Sequence, residues 1–321
     1  MEQEKILVVL PVKEEHKERI QNAAPDAKTT YCLEAEVTKE QVQDANIIIG
    51  NVKPEFLKDS RNLRWIQLNN AGTEGFCVPG VLPEQAQLTN ATGAYGMAIS
   101  EHLIAMLFVL QKRLDIYQNQ QKDHHWEKQT HMMVTEGSHV LVIGLGDIGT
   151  TFARKMKALG AYVTGIRKSR KPKPEYVDAQ YTMEVLPELL PQADIVALSL
   201  PGYNDTKGVI GEKELHLMKA NTILLNVGRG TAVDSLALAK ALQEGTIYGA
   251  GLDVTDPEPL PEDHPLWDAP HCIITPHVSG GYALPETLEK ILELSIKNLE
   301  RYEKGETLHN IIDFSTGYVK R

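Results

Sequence analysis

The chain has 321 residues, a formal net charge of −10 and 42% hydrophobic residues, which suits about two domains of ordinary size with ample surface to bury. The acidic balance, 43 Asp and Glu against 33 Lys and Arg, argues against nucleic acid as a main partner, because phosphate binding needs a basic face. No apolar run is long enough to span a membrane and residues 1–5 lack the pattern of a secretory signal, so a cytoplasmic protein without a membrane partner is expected. Cys32, Cys77 and Cys272 show neither paired spacing nor a metal motif. They read as apolar fillers, and no metal is expected.

Residues 6–10 read as a buried strand closed by Pro11. Thr38-Lys-Glu-Gln41 has the form of a capping box and should start a short helix. Residues 45–49, ending at Gly50, and residues 65–68 are further strands. Strands alternating with short helices make the first hundred residues a small α/β unit with a parallel sheet. Ser100 is expected to cap a long amphipathic helix, with Leu103, Met106, Leu107, Leu110 and Leu114 at helical spacing for core or subunit contact. A polar stretch, 118–129, follows. Its His124 and His125 have no third ligand at suitable spacing and read as solvated.

Residues 140–143, Val-Leu-Val-Ile, read as a buried parallel strand. Gly144, Gly146 and Gly149 then form G-x-G-x-x-G, and a helix runs on to Leu159 before Gly160. This is the strand–turn–helix context of a dinucleotide fingerprint. The first glycine allows the tight turn, the second lets backbone approach the pyrophosphate, and the third lets helix pack on strand. The helix N-terminus offers N–H groups to the phosphates, so Asp147 and Ile148 join the glycines as expected cofactor contacts. At the end of the next strand, 161–166, an NAD-binding protein usually has an acid for the ribose hydroxyls. Here stand Arg167, Lys168, Ser169, Arg170 and Lys171, with no carboxylate before Glu175. An acid repels a 2′-phosphate, whereas Arg, Lys and Ser bind it, so NADP(H) is expected over NAD(H). The competing reading is a solvated basic loop.

Further strands are read at 195–200, 222–226, 247–252 and 272–275, with helices near 184–190, 212–219 and 233–243. Six strands opened by the fingerprint suggest a complete doubly wound dinucleotide domain. Residues 285–304 form a last long helix. The expected architecture is α/β, with two doubly wound domains that each hold a parallel sheet. Residues 1–100 plus 286–321 form a substrate-binding domain and 101–285 a Rossmann NAD(P)-binding domain, with the active-site cleft between them.

Three groups fall at the ends of predicted strands, where open α/β sheets bind ligands. Arg229 lies in Asn-Val-Gly-Arg-Gly, Glu258 in a loop stiffened by three prolines, and His277 between a proline and a glycine pair. Singly they read as a surface arginine, a loop charge and a core histidine. Together, behind a dinucleotide fingerprint, they suit redox chemistry on a 2-oxo acid. A guanidinium holds a carboxylate by two parallel hydrogen bonds. Histidine gives and recovers a proton near neutral pH, and a nearby carboxylate favours the charged imidazole and keeps the donor loaded.

In the motifs VIGLGDIG, LLNVGRG, GLDVTDPEPLP and ITPHVSGG the chain resembles the D-isomer-specific 2-hydroxyacid dehydrogenases, closest in character to glyoxylate/hydroxypyruvate reductases. The resemblance implies catalytic roles for Arg229, Glu258 and His277. It places the nicotinamide-carboxamide partner on Asp253 and cofactor contacts on Leu200 and Pro201. Val227 and Gly228, beside Arg229, are expected cofactor contacts as well. Asn70, Ala71 and Gly72 resemble the substrate loop, which with Arg229 and His277 would hold a small 2-oxo or 2-hydroxy acid. Thr73 and Glu74 depart from the commoner Ala-Gly-Val-Asp form. Tyr95 and Met97 would shape the pocket or pack the hinge. A homodimer is implied. The alternatives are a nucleotide-sensing, corepressor-like binding protein on the same fold, or a dehydrogenase of another small acid.

Overall fold

Short apolar runs become the strands of two parallel sheets. The computed structural model describes every residue except 1–2, 74, 169–170, 203–204, 283 and 321. The chain divides into two units, Met1–Tyr95 with Tyr282–Arg321, and Gly96–Gly281.

The first unit starts with β1 (Lys5–Val9), α1 (Glu14–Ala23), β2 (Lys28–Cys32), α2 (Lys39–Asp44), β3 (Ile47–Gly50), α3 (Pro54–Leu57), β4 (Trp65–Gln67) and β5 (Gln87–Thr89). Its strands lie in the order β2-β1-β3-β4-β5, all parallel. β1 and β3 are central and covered on both faces, hence their unbroken Ile/Leu/Val runs. The capping box forms as expected: Gln41 N donates to Thr38 Oγ1 at 3.3 Å and Thr38 N to Gln41 Oε1 at 2.9 Å. The apolar pattern does not announce α1 or β2. Helix α1 buries only His16 and Ile20 of its ten residues, and β2 is a partly exposed edge strand, Lys-Thr-Thr-Tyr-Cys.

The second unit holds α4 (Gly96–Lys112), α5 (Leu114–Lys122), β6 (His139–Ile143), α6 (Asp147–Ala158), β7 (Tyr162–Ile166), β8 (Ala179–Tyr181), α7 (Leu186–Leu189), β9 (Ile195–Leu198), α8 (Glu212–Leu217), β10 (Ile223–Asn226), α9 (Ser235–Gln243), β11 (Gly249–Leu252) and β12 (Cys272–Ile274). Among the described residues the sheet is seven-stranded and parallel, ordered β12-β11-β10-β9-β6-β7-β8. The seventh strand beyond the six read from sequence is β8, a three-residue edge segment, Ala-Gln-Tyr, without an apolar run. Strand order reverses between β6 and β9, the switch point at which such sheets bind ligands.

The long helix differs from expectation at both ends. It starts at Gly96 rather than at Ser100, because the Asp147 carboxylate accepts from Gly96 N at 3.0 Å. Ser100 is interior, and its hydroxyl donates to Met97 O. Arg113 adopts a left-handed φ of 53° and separates α4 from α5, which takes Leu114 off the apolar stripe and leaves it 49% exposed. No helix among the described residues is long and apolar enough to cross a membrane.

The final helix, α10 (Pro285–Glu303), belongs to the first unit and packs on α1. Glu289 accepts from Arg19 Nη1 at 2.8 Å and contacts His16 Nε2 at 2.6 Å, which ties the two helices. Buried Asn298 donates to Gln67 Oε1 at 2.9 Å and joins α10 to β4.

In the second unit, burial lowers the pKa of His139 below its ordinary 6.5, outweighing nearby Asp194, which raises it. Burial lowers His271 in the same direction. Both imidazoles are held neutral in the fold while the unfolded chain takes up protons near pH 6.5. Their contribution is therefore complete above that pH and is lost as pH falls through the lowered folded values. The thermal midpoint, followed by circular dichroism, is expected to drop between about pH 7 and pH 5, with a shallower slope in His139→Gln.

Candidate active site

The turn after β6 is closed by its glycines. Gly149 lies against the turn itself: a Cβ there would stand 1.9 Å from Gly144 O. A side chain is excluded, and α6 packs directly on the end of β6. Gly146 is the N-cap of α6, where a Cβ would meet no atom within 4 Å, and as a glycine it offers no side-chain cap. The first-turn N–H groups of a helix have no intrahelical acceptors. An open helix N-terminus at the switch point fits a dinucleotide pyrophosphate. Ile148 and Gly149 lie in that turn. Asp147 lies there too, and its side chain also caps α4. Ser199 Oγ, just after β9, donates to Gly144 O at 2.7 Å and brings Leu200 and Pro201 beside the fingerprint.

Arg167 and Lys168 follow β7. Arg167 N donates to Tyr181 O, and Lys168 Nζ stands 2.6 Å from Asp205 Oδ2, with the Lys168 and Asp205 side chains more than half exposed. Ser169 lies outside the described residues.

At the end of β10, fully buried Asn226 folds the turn that carries Arg229. Its Oδ1 accepts from Gly228 N at 3.1 Å and its Nδ2 donates to Arg229 O at 3.0 Å. Asn226 was legible only as the end of a strand, although a polar, strand-averse residue after three apolar ones signals a special turn. Val227 N donates to Leu198 O, and Gly228 packs against the Leu200 backbone. A Cβ on Gly230 would stand 1.8 Å from Thr255 O, so this glycine lets the arginine turn seat against the acidic loop. In that loop Glu258 is oriented at both oxygens. Oε1 accepts from Thr255 N at 3.0 Å, and Oε2 lies 3.0 Å from His277 Nδ1. Nδ1 is thereby engaged with Glu258, and Nε2 is the ring nitrogen outside that contact. The pair is partly open, with side chains 51% and 39% exposed for His277 and Glu258.

Asp253, which follows β11, is 1% exposed. It accepts from Thr275 Oγ1, Val278 N, Ser279 N and Ser279 Oγ. These partners had no sequence signal. They meet only when β11 and β12 pair.

Asn70, Ala71 and Gly72 belong to the first unit, after β4. Asn70 O accepts from Ala91 N and Ala71 O from Asn90 Nδ2, which fastens this loop to the segment after β5. The side-chain Oδ1 atoms of Asn69 and Asn70 are buried with no hydrogen-bond partner among the described residues. Tyr95 donates to Asn69 O, and burial raises the Tyr95 hydroxyl well above its ordinary pKa.

A doubly wound sheet with an open phosphate turn, an arginine turn and a His–Glu pair at its strand ends defines an NAD(P)-dependent oxidoreductase. The family profile for D-isomer specific 2-hydroxyacid dehydrogenase, NAD binding domain, matches residues 104–279. The chain belongs to that family. It is 30% identical over 290 residues to a glyoxylate reductase of Thermococcus litoralis, covering 86% of each chain. A D-isomer specific 2-hydroxyacid dehydrogenase family protein of Aeromonas salmonicida is 29% identical with a TM-score of 0.85, over 97% of this chain and 99% of that one. A D-isomer specific 2-hydroxyacid dehydrogenase of Xanthobacter autotrophicus, solved with NADPH and MES, is 26% identical with a TM-score of 0.80, over 98% and 100%.

Proposed function

We propose that this enzyme reduces a small 2-oxo acid of the glyoxylate/hydroxypyruvate type to the D-2-hydroxy acid with NADPH. The observation that carries the reading is the 3.0 Å contact of His277 Nδ1 with a Glu258 carboxylate whose other oxygen is fixed by Thr255 N. That arrangement orients an imidazole to give a proton from Nε2.

Arg229 holds the substrate carboxylate through its planar fork and polarises the carbonyl. In the first unit, Asn70 and the backbone N–H groups of Ala71 and Gly72 are the residues this reading assigns to substrate binding. When bound, the nicotinamide supplies the hydride that reaches C2. His277 gives its Nε2 proton to the carbonyl oxygen as negative charge develops there, and Glu258 stabilises the charged ring that donates. In the reverse direction His277 takes that proton back. Gly144, Gly146, Asp147, Ile148, Gly149, Leu200, Pro201, Val227 and Gly228 would hold the cofactor, and Asp253, whose carboxylate is taken up by Thr275, Val278 and Ser279, would act on the nicotinamide side by shaping the loop rather than by accepting from it.

Preference for NADPH rests on Arg167, Lys168 and Ser169, and the NADPH-bound relative supports it. Steady-state reduction of a panel of 2-oxo acids with NADPH and NADH in parallel tests both parts. Turnover is expected to be higher with NADPH, and Arg167→Ala/Lys168→Ala is expected to raise the NADPH KM about 10- to 100-fold with little effect on NADH. Equal use of the two cofactors by the parent enzyme would remove the phosphate role from these residues.

A homodimer is part of the same reading. Trp126 is 96% exposed, and Leu114, Met132 and Val134 nearby in sequence are exposed as well, apolar side chains that a second copy would cover. Sedimentation is expected to give twice the chain mass, with Trp126→Glu shifted toward monomer.

A further inference from the structure

His277 has a left-handed φ of 51°, a conformation that a non-glycine residue keeps only when its surroundings hold it there. Its backbone N–H donates to Asp253 O at 2.9 Å and to Thr275 O at 3.0 Å. The residues on either side hang on the Asp253 side chain. Oδ1 accepts from Thr275 Oγ1 at 2.6 Å and from Val278 N at 2.9 Å, and Oδ2 accepts from Ser279 N at 3.1 Å and from Ser279 Oγ. A carboxylate offers about four lone-pair sites, and these four donors fill them.

The Thr275 hydroxyl has a single proton, and the carboxylate takes it. The hydroxyl oxygen therefore acts as an acceptor toward His102 Nε2, 2.9 Å away. His102 Nε2 is 3.8 Å from Asp253 Oδ1, too far for a direct hydrogen bond, so the hydroxyl is the link. The order of donation is fixed: His102 Nε2–H to Thr275 Oγ–H to Asp253 Oδ1. His102 projects from α4, which carries none of the acid/base groups.

We propose that His102 and Thr275 are positioning residues for His277. Through Asp253 they anchor turn 275–279 to α4 and hold the imidazole where Glu258 and the substrate carbonyl meet it. The proposal rests on the reading of His277 as the acid/base group.

The test uses the full-length enzyme with NADPH and the fastest 2-oxo acid of the panel. Thr275→Val removes the hydroxyl at nearly constant volume, and His102→Leu removes the outer donor. Each is expected to lower kcat about 10- to 100-fold, as a misplaced reactive group does, while the NADPH dissociation constant stays within about threefold. Thr275→Ser and His102→Gln, which keep the hydroxyl and a terminal N–H donor, should recover most of that loss. The double variant should be no worse than Thr275→Val alone, because both cut one chain. Without cofactor or substrate, amides 277–279 should exchange with deuterium faster in Thr275→Val and His102→Leu than in the parent. Unchanged kcat and exchange in both variants, or effects that multiply in the double variant, would overturn the relay. His277→Asn is the control: full turnover there overturns the role of His277 itself, whereas an inactive His277→Asn beside a fully active Thr275→Val overturns only the positioning.

Discussion

His277→Asn is expected to lower kcat about 100- to 10,000-fold, the range for loss of a general acid, while NADPH still binds. Asparagine is the right replacement because of the backbone. At φ 51° an alanine would add strain, whereas asparagine tolerates the left-handed region. Its amide cannot supply a proton at neutral pH. The turn held by Asp253 therefore survives, and the measured loss reports proton transfer rather than folding. Thermal denaturation of the variant within a few degrees of the parent, together with the collapse of kcat, is the expected pair of results.

Arg229→Lys is expected to cost roughly 100- to 1,000-fold in kcat/KM for the 2-oxo acid, despite retaining the positive charge. Lysine offers a point charge where the reading requires a fork that binds a carboxylate and polarises its neighbouring carbonyl. Asn226 holds the backbone of residues 228 and 229, so the main support of the turn survives, although lysine loses the 2.9 Å hydrogen bond that Arg229 Nη1 donates to Gly228 O. Steady-state kinetics with KM and kcat separated is the check. A lysine variant with parental kcat/KM would remove substrate binding from Arg229.

The glycine turn after β6 was legible because its geometry is in the backbone. A glycine that must let Gly144 O approach, and another that opens a helix N-terminus, leave a fixed spacing in the sequence. The capping box at Thr38 is local in the same way. The Glu258–His277 contact was legible as a pair of candidates, each placed at a strand end. What the sequence withheld is long-range or weakly patterned. The start of α4 depends on Asp147, 51 residues from Gly96, and the edge strands β2 and β8 have too little buried surface to show a period. His102 and Thr275 are 173 residues apart, one on an ordinary amphipathic helix and the other before a proline. Nothing local links them, so the support of His277 emerges only with the fold.

The most direct test of the account follows the atoms. Enzyme, a 2-oxo acid with a prochiral carbonyl such as pyruvate or hydroxypyruvate, and NADPH deuterated at the transferable C4 position are combined, and the product is separated on a chiral column and analysed by mass. The account predicts a D-2-hydroxy acid carrying the label at C2, formed by the parent enzyme and nearly absent with His277→Asn. An L product, an unlabelled product, or tight NADPH binding without any label transfer would contradict it.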